Sequence, residues 1–541
     1  MKPEEYDVVV VGAGFGGLYA LYRLRAMGLT VRLLEQAPTV GGTWYWNRYP
    51  GARCDVESVD YSFSFDDELQ QEWTWTERFA TQPEILRYVE HVADRFDLRR
   101  DIDFDTRVDA ARYDDATFRW HVGTADGRAL VARYCVMAMG NLSAVNLPGF
   151  EGIEDFQGRI VHTARWPEEG VDVTGMRAGV IGTGSTGIQL VPRLAEQARH
   201  VTVFQRTANY SMPARNRLLD EAEIAAVKAT YADRRETSRW SMTGLPVEAP
   251  ALSALEVSDE ERRKAFDTGW REGGAHAVLG QYADMLQSLE ANAFGADFVR
   301  ERIREMVRDP QVADRLCPSD HPLGAKRICV DTDYYETFNR DDVRLVDVRS
   351  ASIRRFTAHG IETADGEHHD LDVVAFATGF DAMTGALLAL DVHGRGGVSL
   401  RDAWAEGPRT HLGLAIAGFP NLFVVTGPGS PSVFTNMVLA VEQHGDWIAD
   451  CIAHLDAAGL VAIEPAVDAQ EAWVSHVTEM AAASLRSRGN SWYLGVNIPG
   501  KPRVFMPYVG GLGPYRAICD AVAADGYRGF LTSAGEPVGM A

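Results

Sequence analysis

Two short glycine runs are the first residues of this chain whose types and spacing could do specific chemistry. Gly12-Ala13-Gly14-Phe15-Gly16-Gly17 and Gly182-Thr183-Gly184-Ser185-Thr186-Gly187 both carry the G-x-G-x-x-G spacing. In it the first glycine makes a tight turn, the second lets the backbone approach a pyrophosphate, and the third lets a helix pack closely on a strand. The helix that follows offers free N–H groups and a partial positive charge to phosphates. The residue ending the next strand then selects the dinucleotide. After the first run that residue is Glu35, and an acid there accepts from a ribose 2′-hydroxyl and repels a 2′-phosphate. After the second run the matching position is Gln205, followed by Arg206, whose guanidinium suits a phosphate. The first site therefore suits FAD or NAD and the second NADP. Together they predict a flavin fed by a nicotinamide.

Each run needs a strand before it and a helix after it, and both are legible. Residues 8–11 are a continuous β-branched run, as expected of a strand buried on both faces. Leu18, Leu21, Tyr22 and Arg25 follow with helical spacing, and residues 29–34 read as a second strand. The second unit repeats the pattern, with strands at 178–181 and 201–204 around a helix at 188–199. Two further apolar strands end at glycine, 135–140 and 373–379, and read as the strands that return the chain between units. Further strands are expected at 343–348 and 371–378. Residues 216–310 are charged and strand-poor. Asp220 with Glu223 and Ser258 with Glu261 have capping-box spacing, and Val299, Ile303, Met306 and Val307 form an apolar stripe, so a helical insertion packed on the second unit is expected. The breaker-rich segment 489–500 reads as a surface loop.

The chain has 541 residues, enough for roughly three or four folding units. Its 53 basic and 76 acidic residues give a net charge of −23, which disfavours nucleic acid and anionic membranes as partners. No run of eighteen apolar residues offers a membrane span, and MKPEEYDVVVV has none of the parts of a signal peptide. Cys54, Cys135, Cys317, Cys329, Cys451 and Cys519 form no C-x-x-C, which disfavours a disulfide reductase and fits a reduced, cytoplasmic protein. The 14 histidines show no ligand-like spacing, so no metal is expected.

Between the glycine runs lies Phe156-Gln157-Gly158-Arg159-Ile160-Val161-His162-Thr163-Ala164-Arg165-Trp166-Pro167. This F-x-G-x-x-x-H-x-x-x-W-P pattern resembles the fingerprint of type I Baeyer–Villiger monooxygenases. Residues 41–55 resemble that family's flavin-site segment, and Lys326-Arg327 its active-site pair. Gly427-Pro428-Gly429-Ser430-Pro431-Ser432 resembles the longer loop of the phenylacetone and steroid monooxygenase branch. Phe434 departs from the smaller aliphatic residue expected in the phenylacetone enzyme.

The resemblance implies an α/β chain with two dinucleotide-binding, Rossmann-like domains. FAD would be held by 1–141 and 380–541, with a mobile loop at about 487–503. NADP would be held by 142–211 and 325–379, with a helical insertion at 212–324. NADPH would reduce FAD, dioxygen would add at flavin C4a, and the peroxide would attack a ketone to give a Criegee-type adduct that rearranges to an ester or lactone. Arg327 would be the fixed cation and Asp55 its orienting carboxylate. Gly12, Gly14, Gly16, Gly17, Glu35 and Val108 would hold the ADP half of FAD. Thr43, Trp44, Trp46, Asp55, Tyr61 and Met437 would lie along its flavin half. Thr183, Gly184, Ser185, Thr186, Gly187 and Gln189 would face the NADP pyrophosphate; Arg206, Thr207 and Lys326 would hold its 2′-phosphate. Arg53, Cys54 and Asp55 would lie where the nicotinamide meets the flavin, and Trp492 would belong to a loop closing over NADP. Ser432, Val433, Phe434 and Met437 would line the ketone pocket. His162 is expected to be structural. Two rivals remain: a sulfide- or amine-oxidising flavin monooxygenase, disfavoured by Trp166-Pro167, and a flavin redox sensor, disfavoured by the intact Asp55, Arg327 and Trp492 set.

Overall fold

The computed structural model describes residues 4–534, and the elements counted below lie within them. The first and last expected FAD-domain boundaries, and the first three residues of the N-terminal segment, lie outside the described residues. Eight strands form the first sheet, in the order Asp391–His393, Val108–Asp114, Arg119–Thr124, Ala129–Met137, Glu4–Val11, Val31–Leu34, Ile102–Asp103; Leu422–Val424 joins Ala129–Met137. The strand Ala129–Met137 is shared along one edge. Its start pairs antiparallel with Arg119–Thr124, and its end pairs parallel with Leu422–Val424. Val8, Val9 and Val10 at the centre are fully buried, as their unbroken β-branched run requires.

The second sheet has five strands in the order Val343–Asp347, His200–Gln205, Arg177–Ile181, Val373–Phe376, Arg159–His162, every neighbour parallel. The helices Phe15–Ala26 and Ser185–Ala195 follow the two glycine runs, the second starting three residues earlier than its apolar periodicity suggests.

The same close approach recurs in both units. Gly12 has φ 101°, and a Cβ there would stand 2.7 Å from the Ala138 carbonyl; at Gly17 it would stand 1.7 Å from the Gly12 carbonyl. Gly182 has φ 111° with the Ala377 carbonyl at 2.4 Å, and a Cβ on Gly187 would stand 2.1 Å from the Gly182 carbonyl. The two returning strands thus wedge a carbonyl against each first glycine, which is why no side chain fits.

The strands Ser211–Pro213 and Cys329–Asp331 pair in parallel, and the helical segment leaves and re-enters the second unit there. Its helices are Glu221–Ala229, Tyr231–Trp240, Asp259–Glu272, Leu289–Met306 and Pro310–Leu316. Ser258 and Glu261 close a reciprocal capping box. Asp220 caps the Glu223 N–H, but the Glu223 carboxylate turns to Arg217, so the second box is only half formed. Phe266, Trp270, Phe298, Val299 and Ile303 share one cluster with Val180 and Val203 of the sheet. Full burial of such side chains contributes roughly 1.5–3 kcal/mol each.

One expectation is overturned here. The 489–500 segment is not a surface loop. Tyr493 is fully buried, Ser491 and Leu494 nearly so, and Trp492–Leu494 makes a single 3₁₀ turn. Leu494, Tyr493, Phe505 and Met506 form a small apolar cluster with Met383 and Val433. Lys501 seals it with an ion pair to Asp381, and Asn497 donates to the Phe380 carbonyl at 2.8 Å. The aromatic content outweighs the glycines and prolines around it.

Candidate active site

The first glycine loop and the acid after its second strand are in contact. The Glu35 carboxylate accepts from the Ala13 N–H at 2.6 Å and the Ala37 N–H at 2.7 Å. Burial raises its pKa, and those N–H groups oppose the rise. The Glu35 carbonyl accepts from Thr106 N–H at 2.8 Å, two residues before Val108 opens the strand Val108–Asp114. Thr43, Trp44 and Trp46 lie on the one-turn helix Thr43–Trp46, and the Trp44 indole N–H donates to the Tyr61 hydroxyl at 3.2 Å. Met437 opens the long helix Met437–Ala457. Neither glycine-loop helix carries an acid in its first turn, and a Cβ on Gly184 would meet nothing within 4 Å. Both N-termini therefore fit a dinucleotide pyrophosphate.

Asp55 and Arg327 meet. Arg327 Nε donates to Asp55 Oδ2 at 2.7 Å and Nη2 to Oδ1 at 2.8 Å, while Nη1 donates to the Val433 carbonyl at 2.5 Å. Burial pushes the Asp55 pKa up, but the Arg327 charge and its two hydrogen bonds hold it below the usual carboxylate range. Arg327 is correspondingly held charged, its burial outweighed by Asp55. Cys54 is buried beside Asp55, and both effects push its thiol pKa up, so it stays protonated. The expected pocket residues Ser432 and Val433 are buried and Phe434 partly so. Ser432 has φ 37°, and nearby Met383 and Thr426 have φ 68° and 55°. Such positions cost about 1–3 kcal/mol each and cluster at functional sites.

In the second unit, Thr183 donates from its hydroxyl to the Thr207 carbonyl at 2.9 Å. Arg206 is exposed at the strand end. Lys326 is pushed to a lower pKa by burial and by Arg206 and Arg349, with Asp320 opposing. Arg349 donates to Asp320 at 2.8 Å and to the Thr207 hydroxyl at 3.3 Å. Arg349 thus reaches Thr207, and Arg206 and Lys326 lie close enough to act on each other's charge, a donor set fitting a phosphate. Arg349 was not expected. The signal lay two residues past the strand Val343–Asp347, whose end pairs with Gln205.

The expected residues Gln189 and Arg53 meet in an unanticipated way. Gln189 accepts from the Tyr49 hydroxyl at 2.8 Å and donates to the Arg53 carbonyl at 3.1 Å, pinning the 49–53 segment to the second helix. The Arg53 guanidinium is taken by Glu77. Ser185 contacts Cys329, and Asn209 donates to the Arg327 carbonyl at 3.1 Å and to Cys329. Asn209, missed in the sequence, therefore anchors the backbone that carries Arg327. Two more residues escaped notice. Tyr493 packs edge-on to Phe434 with its hydroxyl unpartnered, and Arg486 lies 4.1 Å above the Phe434 ring. Trp492 is partly buried against Tyr493.

The W-P segment is a packing device. Phe156 and Trp166 belong to different apolar clusters, and a Cβ on Gly158 would strike the Asp372 carbonyl and the Phe156 ring. His162 accepts from the Ala164 N–H, and burial with Arg165 nearby lowers its pKa to about 4, so it is neutral.

Comparison with known proteins bears on this arrangement. The family model described as pyridine nucleotide-disulphide oxidoreductase matches residues 6–229. A protein named Baeyer-Villiger monooxygenase from Pseudooceanicola batsensis is 46% identical over 97% of this chain and 96% of its own length. This chain belongs to the Baeyer–Villiger monooxygenases. It is an oxidoreductase of the FAD- and NADPH-dependent class that oxygenates ketones. The solved structure of oxidised steroid monooxygenase bound to NADP is 56% identical, covers 98% of this chain and 100% of its own, and superposes with a TM-score of 0.94. A phenazine N-monooxygenase of Lysobacter antibioticus is 42% identical over 97% of each chain. Among the described residues no helix is long and apolar enough to cross a membrane, and no His/Cys/Asp/Glu group could hold a metal ion.

Proposed function

We propose that this Baeyer–Villiger monooxygenase uses dioxygen to convert small ketones to esters or lactones where Arg327 meets Asp55 and Val433. The observation that carries the reading is the two-pronged Asp55–Arg327 pair, because it fixes a permanent cation between the 41–55 segment and the 427–434 loop. When bound, FAD and NADPH would supply the reducing equivalents, and dioxygen would supply the transferred oxygen. The ketone oxygen becomes anionic as its carbonyl is attacked, and a pre-oriented guanidinium stabilises that charge. Asp55 orients the fork, and the Val433 carbonyl stops it rotating.

The glycines at 12, 14, 16 and 17, with Glu35 and Val108, hold the ADP half of FAD. Thr43, Trp44, Trp46, Tyr61 and Met437 flank its flavin half. Residues 183–187 and Gln189 face the NADP pyrophosphate, while Arg206, Thr207, Lys326 and Arg349 hold its 2′-phosphate. Arg53 and Cys54 lie at the nicotinamide end, Trp492 in a loop that closes over NADP, and Ser432, Val433 and Phe434 along the ketone. The FAD domain comprises 1–141 and 380–541, and the NADP domain 142–211 and 325–379 around the 212–324 insertion. The net charge of −23 supports a role without nucleic acid, and six buried, unpaired cysteines support a cytoplasmic location. The Lysobacter relative, named a phenazine N-monooxygenase, favours oxygenation at nitrogen as a second reading, in line with the amine-oxidising alternative.

The test is to mix the purified yellow protein with NADPH in air, add phenylacetone, cyclohexanone or an aromatic amine, and analyse products by mass. A ketone product heavier by one oxygen with ester fragmentation is expected. Amine oxide formation with no ester from any ketone would replace this reading by the second.

A further inference from the structure

Among the described residues Arg486 has no acid partner. None of their carboxylates stands within 4.0 Å of its guanidinium, and of the titratable groups acting on it Tyr493 is a neutral phenol, its pKa pushed up to about 12 by burial, which leaves Arg327 as the charge. The guanidinium lies instead over a π face, the Phe434 ring at 4.1 Å. The neighbouring residue, Val433, takes the Arg327 Nη1 hydrogen bond. Two consecutive residues of the candidate ketone pocket therefore present two guanidiniums, and Asp55 neutralises only one. Burial and the nearby Arg327 both work against the Arg486 charge. A ring face returns only part of what such a cation loses on leaving water. In a chain of net charge −23, an uncompensated cation held at a pocket wall is a local focus for an anion.

We infer that Arg486 binds an anionic group of the substrate, and that the preferred ketones are oxo acids carrying a carboxylate away from the reacting carbonyl. The inference rests on the ketone-oxygenating reading above. Arg327 serves the carbonyl, and Arg486, over the neighbouring Phe434 ring, takes the carboxylate in a two-pronged contact. Phe434, bulky for this place, is the platform on which the second guanidinium rests. The same cation could instead meet a phosphate of the dinucleotide, and the experiment separates the two.

The test compares 4-acetylbenzoate with acetophenone, and 4-oxopentanoate with 2-pentanone, in the wild-type holoenzyme and in Arg486→Gln and Arg486→Lys. The expected result is a kcat/KM ratio, anionic over neutral, that falls roughly tenfold or more in Arg486→Gln and partly returns in Arg486→Lys. The wild-type KM for the oxo acid should rise with ionic strength. Benzoate should compete with acetophenone in the wild type and lose potency in Arg486→Gln. A ratio unmoved by Arg486→Gln overturns the inference. So does a rise in the NADPH KM shared by all ketones, which assigns Arg486 to the dinucleotide. Neutral ketones converted while oxo acids are refused overturns it and leaves the ketone reading standing. Conversion of no ketone by the wild type defeats the ketone reading itself.

Discussion

Asp55 and Arg327 are 272 positions apart in sequence and face each other through two parallel hydrogen bonds of 2.7 and 2.8 Å. One comes from the segment that follows the first glycine loop, the other from the coil just before the strand Cys329–Asp331 that closes the insertion. Loss of Arg327 should therefore show in the oxygen-transfer step. In Arg327→Ala, ester formation is expected to fall about 10²–10³-fold, and Arg327→Lys should rescue little, because an ammonium cannot fill both Asp55 oxygens and the Val433 carbonyl. Single-turnover product analysis reads this directly; near-normal ester yield in Arg327→Ala would remove the guanidinium from the chemistry.

On the proposed reading, the cation group near Thr207 sets coenzyme preference. Arg206→Ala should raise the NADPH KM about ten- to a hundredfold and leave that for NADH nearly as it was. Arg349→Ala should act in the same direction but less, because Asp320 already takes part of its guanidinium. Steady-state kinetics with both coenzymes decide; equal effects on NADH and NADPH would mean the arginines do not read the 2′-phosphate.

The two glycine wedges predict two separable failures. Gly17→Ala drives a methyl into the Gly12 carbonyl, and Gly187→Ala does the same at Gly182. The first variant should purify colourless. The second should keep its yellow flavin but not bleach on adding NADPH. Absorbance spectra before and after anaerobic NADPH are enough, and a yellow, NADPH-responsive Gly17→Ala protein contradicts the assignment of the first loop.

Asp331 gives the chain a pH-dependent stability. It is fully enclosed at the root of the insertion, held by the Ser211 hydroxyl at 2.6 Å and the Tyr334 N–H, and burial raises its pKa to about 7. A carboxyl that holds its proton more tightly when folded gives full stability below its unfolded pKa near 3.8. That stability is lost as pH rises from there and levels off above about 7. The loss is at most roughly 4 kcal/mol. Thermal melts between pH 4 and 9 should show a decline through this window that flattens in Asp331→Asn. An identical slope in both proteins would assign the decline to other groups.

The strand–loop–helix units were legible because their signals are local: an unbroken β-branched run, fixed glycine spacing and a charged residue at a fixed distance. Asp55 and Arg327 were nameable through resemblance alone, since no periodicity links residues so far apart. Arg349, Asn209 and Arg486 escaped because each acts from a neighbouring element. Only the register of Asp347 on Gln205 brings Arg349 to Thr207, and only the turn at Leu485–Arg488 sets Arg486 over Phe434. The segment around Tyr493 was misread because composition counts breakers, whereas three apolar side chains with a partner cluster decide burial.

The late strand Leu422–Val424 has a consequence for the order of events on the ribosome. The second sheet has all five strands once the chain reaches Phe376, whereas the first waits for Asp391–His393 and Leu422–Val424. The inner unit can close while the outer one still lacks an edge and the long helix that packs on Phe15–Ala26. An emerging chain would then expose the flank of Ala129–Met137, an apolar strand, for the whole time the intervening residues are being made. That interval, rather than the finished protein, is where a holdase chaperone would most improve yield.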